Sequence, residues 1–228
     1  MKPVKKLKDL LFTCQYENKT LKQILFENQL ERWVPGCTYS YTEKEHLARY
    51  RWVAKFVRNK SIVDIACGAG KGSYILASLG KAKKVIAGDI DQDTLKYASL
   101  KYFHPKIKYI NIEAEGLSLK SKSADVIISF ETIEHLKRPA EFLKRASRVL
   151  KPGGKLIVST PISPKKINKE PYDRYHIREW GYQKFLELIT KYFIVKAIFT
   201  QKGSVISKTS EGKITAGYLI LIAENYQT

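Results

Sequence analysis

Cysteine is scarce and poorly spaced: the 228-residue chain has three, Cys14, Cys37 and Cys67, and no Cys-x-x-Cys pair. This excludes a disulfide framework and a thiolate zinc site, and it fits a reducing, cytoplasmic setting. Runs of about 18 apolar residues are missing too, so no membrane-spanning helix is expected. The run Leu10-Leu11-Phe12 is too short for a signal-peptide core. Repeats, low-complexity tracts and a basic tail are all absent. Acids are in deficit, 22 against 41 Lys and Arg, which leaves a net charge of +19. The excess is shared evenly along the chain, and only nine of the 41 cations are arginine, the residue suited to forked phosphate contacts. Such diffuse charge describes a solvated surface as readily as a nucleic-acid partner. Nothing in the sequence indicates an oligomeric state.

What is present divides into two textures. Residues 1–60 carry two helical patterns, Thr20–Leu30 and Thr42–Arg58, the second opening with Thr42 as a cap and Glu45 at the third helical position, with Pro35-Gly36 as a turn between them. From Ser61 onward short apolar runs alternate with helical stretches. Ile62–Ala66, Val85–Asp89, Ile107–Ile112, Asp125–Phe130 and Lys155–Thr160 read as buried strands. Gly72–Leu79, Gln92–Tyr102, Pro139–Leu150 and Arg178–Thr190 read as helices. This alternation predicts an α/β fold whose mostly parallel sheet is covered on both faces. Tyr192–Thr200 and Ala216–Ala223 add a C-terminal antiparallel pair, giving seven strands in all. The expected division is an N-terminal helical segment over 1–42 and one domain over 43–228.

The strand Ile62–Ala66 runs directly into Cys67-Gly68-Ala69-Gly70-Lys71-Gly72, and glycines there let backbone pass close beneath a ligand. Three details turn the reading away from a dinucleotide: Ser73 stands where a third fingerprint glycine would fall, Asp64 precedes the turn, and no Gly-Lys-Ser/Thr follows. Asp64 would suit a cationic amino group and repel a pyrophosphate. Asp89 ends the second strand, where an acid accepts from a ribose diol. A nucleoside with a cationic, phosphate-free tail describes S-adenosylmethionine. Glu113 and Ala114, past the third strand, lie where an adenine edge would be met.

The motifs VDIACGAG (63–70), AGDID (87–91), ADVIISFETIEHL (124–136) and RVLKPGGKLIVSTP (148–161), in this order and spacing, resemble the class I S-adenosylmethionine-dependent methyltransferases, specifically the UbiG-like, methyltransferase type 11 group. The resemblance covers roughly residues 43–223 and implies a Rossmann-like doubly wound fold. It implies methionine-side contacts at Asp64, Ala66, Gly68 and Gly70, ribose and adenine contacts at Asp89 and Ile90, and an adenine edge at Glu113 and Ala114. Phe130 becomes the wall beside the sulfonium.

Glu131-Thr132-Ile133-Glu134-His135 follows the fourth strand, facing the acceptor in such a fold. Positions 131, 134 and 135 share one face if the segment is helical. His135 alone is a candidate general base, with Glu131 beside it. Glu131, Glu134, His135 and the distant His176 also resemble the metal site of small-RNA 3′-terminal 2′-O-methyltransferases, which implies a divalent ion such as Mg or Mn; related residues occur in UbiG-type quinone O-methyltransferases. A local capping role for Glu131 with no chemistry is the third reading. Neither Asn/Asp-Pro-Pro-Tyr nor Pro-Cys follows the fourth strand, which argues against base-amine and cytosine C5 methylation. The segments 31–36 and 45–50 resemble the entry of small-molecule methyltransferases associated with sugar modification, whose N-terminal helices form a lid. The expected activity is therefore O-methylation of a small-molecule or glycan hydroxyl; ribose 2′-O-methylation of RNA with a divalent metal is the alternative.

Overall fold

The computed structural model describes residues 40–162, 176–209, 214 and 217–226. The first element is helix α1 (Ser40–Ala54), followed by β1 (Ser61–Ile65), α2 (Lys71–Ser78), β2 (Lys84–Asp89), α3 (Gln92–Lys101) and β3 (Ile107–Asn111). Strand β4 (Ala124–Phe130) leads through a 3₁₀ turn, Ile133–His135, into α4 (Pro139–Val149) and β5 (Leu150–Ile162). Helix α5 (Tyr182–Thr190) and strands β6 (Ile194–Lys202), β7 (Val205–Thr209) and β8 (Gly217–Glu224) complete the order.

All eight strands join one sheet, in the order β3-β2-β1-β4-β5-β8-β6-β7. Strands β1 to β5 pair in parallel, while β8 lies antiparallel to both β5 and β6. The strand order reverses between β1 and β4, and a crevice at the carboxyl ends of strands at such a switch point is where open α/β sheets bind ligands. The doubly wound architecture expected from the alternation is present. Among the described residues the sheet has eight strands, not seven: β7 forms between the two expected C-terminal strands and pairs along β6 from Lys202↔Val205 to Ile198↔Thr209. Its alternation of Val205, Ile206 and polar residues is too short to stand out, and it exists because it sits on the β6 edge.

Two cores flank the sheet. On one face Tyr50, Val53 and Val57 of the N-terminal region pack with Ile75 and Leu76 of α2 over Ile128, Ile157 and Ile220. On the other, Phe142 and Leu143 of α4 and Phe185 and Ile189 of α5 cover Ile127, Leu156, Val158 and Leu221. The odd and even positions of β5 therefore point to different faces, as strand geometry requires. Lys151-Pro152-Gly153-Gly154 forms an irregularity within β5: Gly153 has φ +70°, and the register shifts between Ala124↔Leu150 and Val126↔Lys155. Asn225 holds this bulge, donating from its backbone N to Gly154 O at 2.8 Å and from its amide to Ser147 O at 2.8 Å. Helix α5 starts at Tyr182, not Arg178, because Trp180 bridges to Ile162 beforehand.

The expected helix Thr20–Leu30 and the segment 31–36 lie outside the described residues. Among the described residues, no helix is long and apolar enough to cross a membrane.

Candidate active site

The glycine turn forms one half of the site. Ala66, Gly68 and Gly70 take left-handed φ values of 56°, 53° and 85°, a sequence that folds the chain tightly from β1 into α2. A Cβ at Gly70 would lie 2.7 Å from Ala98 Cβ and 2.9 Å from Tyr109 Oη; at Gly72 it would lie 2.1 Å from the Tyr50 ring. Space demands glycine at both, and at Gly70 the left-handed backbone demands it as well. The carboxylate of Asp89, at the end of β2, accepts from Gly68 N at 2.8 Å and from Asp91 N at 3.1 Å, so the acid and the turn are fixed to one another. Ile90 beside it is an apolar side chain 66% exposed. An acid locked to a bare backbone turn, with an exposed apolar platform next to it, fits a nucleoside with a ribose diol and a planar base. Glu113 is exposed and Ala114 buried at the neighbouring end of β3.

Asp64 lies beneath the turn. It is fully buried, with Oδ1 accepting from Tyr50 Oη at 3.0 Å and Oδ2 from Ser73 Oγ at 2.5 Å. Burial pushes its carboxyl from the ordinary 3.8 up to about 7, against the opposing pull of the Ser73 and Tyr50 hydroxyls. Ser73, which the sequence offers only as a missing glycine, is thus a partner of Asp64.

Beyond β4 the residues separate into two groups on opposite sides of the β5 end. Phe130, wedged against Tyr50 with ring centroids 5.2 Å apart, closes the strand. Glu131 follows with φ 49°; its Oε1 meets Arg49 at 2.6 Å and accepts from Ser159 Oγ at 2.6 Å. Arg49 is wholly buried, donates to Ser159 Oγ at 2.9 Å and lies over the Tyr218 ring at 4.7 Å. This group sits on the α1 face. Glu134, also wholly buried, sits toward the α4 face, where Thr160 Oγ1 donates to its Oε2 at 3.1 Å and its Oε1 has no hydrogen-bond partner. Burial and the charge of Glu131 push the Glu134 carboxyl well above the usual carboxylate range.

Glu134, His135 and His176 each offer a ligand atom within 4.8 Å of the others. The rings of His135 and His176 stand 5.0 Å apart. His176 is brought there because Ile177 N and Arg178 N both donate to Glu134 O, at 3.1 and 3.3 Å. Glu131 is not a member of this trio. The segment 131–135 is a left-handed corner at Glu131 followed by a 3₁₀ turn, not an α-helix, and it parts the two carboxylates.

Residues 63–158 match the family model described as the methyltransferase domain. That stretch carries the likeness to the family, and the sheet order around it is the class I methyltransferase fold. A relative named as a probable S-adenosylmethionine-dependent methyltransferase, from Mycolicibacterium smegmatis, is 33% identical over 70% of this chain and 62% of its own length. A ubiquinone biosynthesis O-methyltransferase from Parvibaculum lavamentivorans is 32% identical over 53% of this chain and 49% of its own. The chain thus spans half to three fifths of the length of these curated relatives. Among solved structures, an S-adenosylmethionine-dependent methyltransferase from Thermotoga maritima superposes with a TM-score of 0.64 at 18% identity, covering 94% of this chain and 98% of that one, a likeness of fold.

Sequence reasoning missed Arg49, Ser159, Thr160 and Tyr218 in this site. One signal existed for Arg49: the four-residue spacing Glu45, Arg49, Val53 places it on the stripe that carries core residues, where an unpaired arginine would be costly.

Proposed function

We propose that this methyltransferase moves the methyl group of S-adenosylmethionine to a hydroxyl oxygen of a small molecule or glycan, with a divalent cation held by Glu134, His135 and His176. The observation that carries the reading is the buried Glu134 Oε1 without a partner, set in a trio of ligand atoms within 4.8 Å. An orphaned buried carboxylate oxygen is costly, and a cation is the natural way to satisfy it. One carboxylate with two imidazoles suits Mn²⁺ or a heavier first-row ion better than the all-oxygen preference of Mg²⁺. The ubiquinone O-methyltransferase name of one relative is in keeping with an oxygen acceptor.

In this reading each residue has a definite task. Asp89 accepts from the ribose hydroxyls, Ile90 and Ala114 border the adenine, and Gly68 and Gly70 admit the methionyl portion against bare backbone. Asp64, wholly buried beneath the turn and bonded by Tyr50 and Ser73, braces it. The bound sulfonium supplies an electrophilic methyl in a water-poor site, where displacement depends chiefly on alignment. Phe130 excludes water beside it. A cation in the trio would lower the pKa of an acceptor hydroxyl. Glu131, with Oε1 fixed by Arg49 and Ser159, borders the acceptor as a fixed carboxylate; His135 is the base if the trio stays empty. A cytoplasmic location remains part of this reading.

The second reading, ribose 2′-O-methylation of RNA, is favoured by a cationic groove beside α1, treated below. Incubation with methyl-labelled S-adenosylmethionine and, separately, catechols, phenols, glycosides and total RNA tests both. The first reading expects label in a small-molecule O-methyl ether, lost with EDTA and restored by Mn²⁺. Label confined to RNA selects the second, and label on nitrogen or carbon, or turnover indifferent to EDTA, contradicts the cation-assisted oxygen chemistry.

A further inference from the structure

On the outer side of α1, away from the Arg49 group, an open groove of about 430 Å³ lies between the helix and β7. Lys44, Arg51 and Lys55 line one wall, Ser204 and Ile206 the other, and Trp52 contributes an aromatic. No acid lines it. Among the described residues, none of the three cations has an ion-pair or hydrogen-bond partner from its side chain. Lys208 continues the β7 wall, since it shares a strand face with Ile206 and is exposed. Trp52 is braced edge-on by Phe199 at 4.7 Å and by Phe56 at 5.2 Å, and it remains partly exposed.

We infer that this groove is a binding track for a single-stranded nucleic acid, with phosphates along Lys44, Arg51 and Lys55 and a base against Trp52. The inference deepens the second reading above, by naming where the strand would lie. A cationic groove combined with an aromatic is the general requirement for holding single strands without reading their sequence. The length of the track selects the ligand: at 1.5 Å rise per residue, Lys44 to Lys55 spans roughly 16 Å of helix, room for several phosphates of a strand and more than one phosphate or pyrophosphate fills. Its concavity is the wrong shape for a flat anionic membrane. Its placement connects it to the chemistry. Ser204 belongs to the tip of the β6–β7 hairpin, where Gln201 donates from its side chain to Glu45 O at 2.9 Å and to Gly203 O at 2.7 Å, and Gln201 pairs with Tyr218 across the sheet. The hairpin tip is thereby tied to α1 and to Tyr218, whose ring lies 4.7 Å from the Arg49 guanidinium.

The test is fluorescence anisotropy of a labelled twelve-nucleotide oligouridylate with the full chain, across a range of salt concentrations. The triple variant Lys44→Gln/Arg51→Gln/Lys55→Gln is expected to lose at least about tenfold in affinity, and its log–log salt slope to fall by about 2, near 0.7 for each lost phosphate contact. A control that removes the same charge elsewhere, Lys144→Gln/Lys184→Gln/Lys191→Gln, is expected to lose less than about threefold. Equal losses in the two triples would mean that only diffuse charge attracts RNA, and would overturn the inference. So would undetectable oligouridylate binding, or stronger binding of the same groove to phosphatidylglycerol vesicles or inorganic phosphate. S-adenosylmethionine affinity, measured in parallel, should be equal in wild type and both triples. Its absence in wild type would refute the methyltransferase reading, while the oligouridylate comparison reports on the groove separately.

Discussion

Arg49 and Glu131, separated by 82 positions, meet at 2.6 Å between guanidinium and carboxylate, with the arginine wholly buried. Ser159 closes the triangle, 2.9 Å from Arg49 and 2.6 Å from Glu131. The next residue on the helix, Tyr50, donates to Asp64 under the glycine turn. Two consecutive residues of α1 thus fasten the acceptor side and the cofactor side of the site to one helix.

Removing one partner of a buried ion pair leaves the other charge stranded, at about 3–5 kcal/mol. Glu131 keeps some solvent contact, which places Arg49→Met toward the lower end. Denaturant unfolding should show a loss of about 3 kcal/mol for Arg49→Met, with Arg49→Lys intermediate because an ammonium cannot reproduce the planar guanidinium's seat over the Tyr218 ring. A loss below about 1 kcal/mol would mean the pair is not a structural fixture.

Asp64 gives a pH signature. Its folded pKa, about 7, lies above the ordinary 3.8, so the folded state binds the extra proton between those values. The associated stability is fully present below pH 3.8 and is lost as pH rises toward and through about 7. Asp64→Asn should remove this component, so the difference in unfolding free energy between variant and wild type should move in the variant's favour from pH 4 to pH 8. A difference that is flat across the range would show that Asp64 titrates normally.

Gly72→Ala places a methyl 2.1 Å from a ring carbon of Tyr50. Overpacking of this kind costs about 1–3 kcal/mol. The ring must also move away from Asp64, so cofactor affinity should fall together with thermal stability. An alanine variant with wild-type melting temperature would contradict the tight seating of α1 on the turn.

Manganese titration by electron paramagnetic resonance separates the two carboxylates. Glu134→Gln and His176→Ala should each weaken Mn²⁺ binding at least about tenfold, in line with loss of a ligand. Glu131→Gln should change it by less than about threefold, since its carboxylate is held by Arg49. Equal effects of the two glutamate variants would restore the four-ligand site that the sequence motif implies.

Much of this was legible in the sequence because it depends on local pattern. Buried parallel strands are continuous apolar runs, so Ile62–Ala66 and Val85–Asp89 coincide with β1 and β2 to within a residue. The glycine turn was equally plain. The rest depends on long-range pairing. Strand β7 has little pattern of its own and arises from the open edge of β6. Glu131 and Glu134 share a motif, yet the left-handed φ of Glu131 and the buried Arg49 draw them to different faces of the sheet, which spacing alone does not disclose. The role of Asp64 likewise turned on Tyr50 and Ser73, whose hydroxyls donate to its carboxylate.

Calorimetric titration of S-adenosylmethionine into wild type and Asp89→Ala tests the cofactor site on which every catalytic assignment depends. Wild type should bind saturably at one site per chain, and the variant should bind at least about tenfold more weakly, the loss of a charge-assisted hydrogen bond to the ribose. Equal affinity in the two proteins, or no binding by wild type, would contradict the assignment of this crevice to the methyl donor.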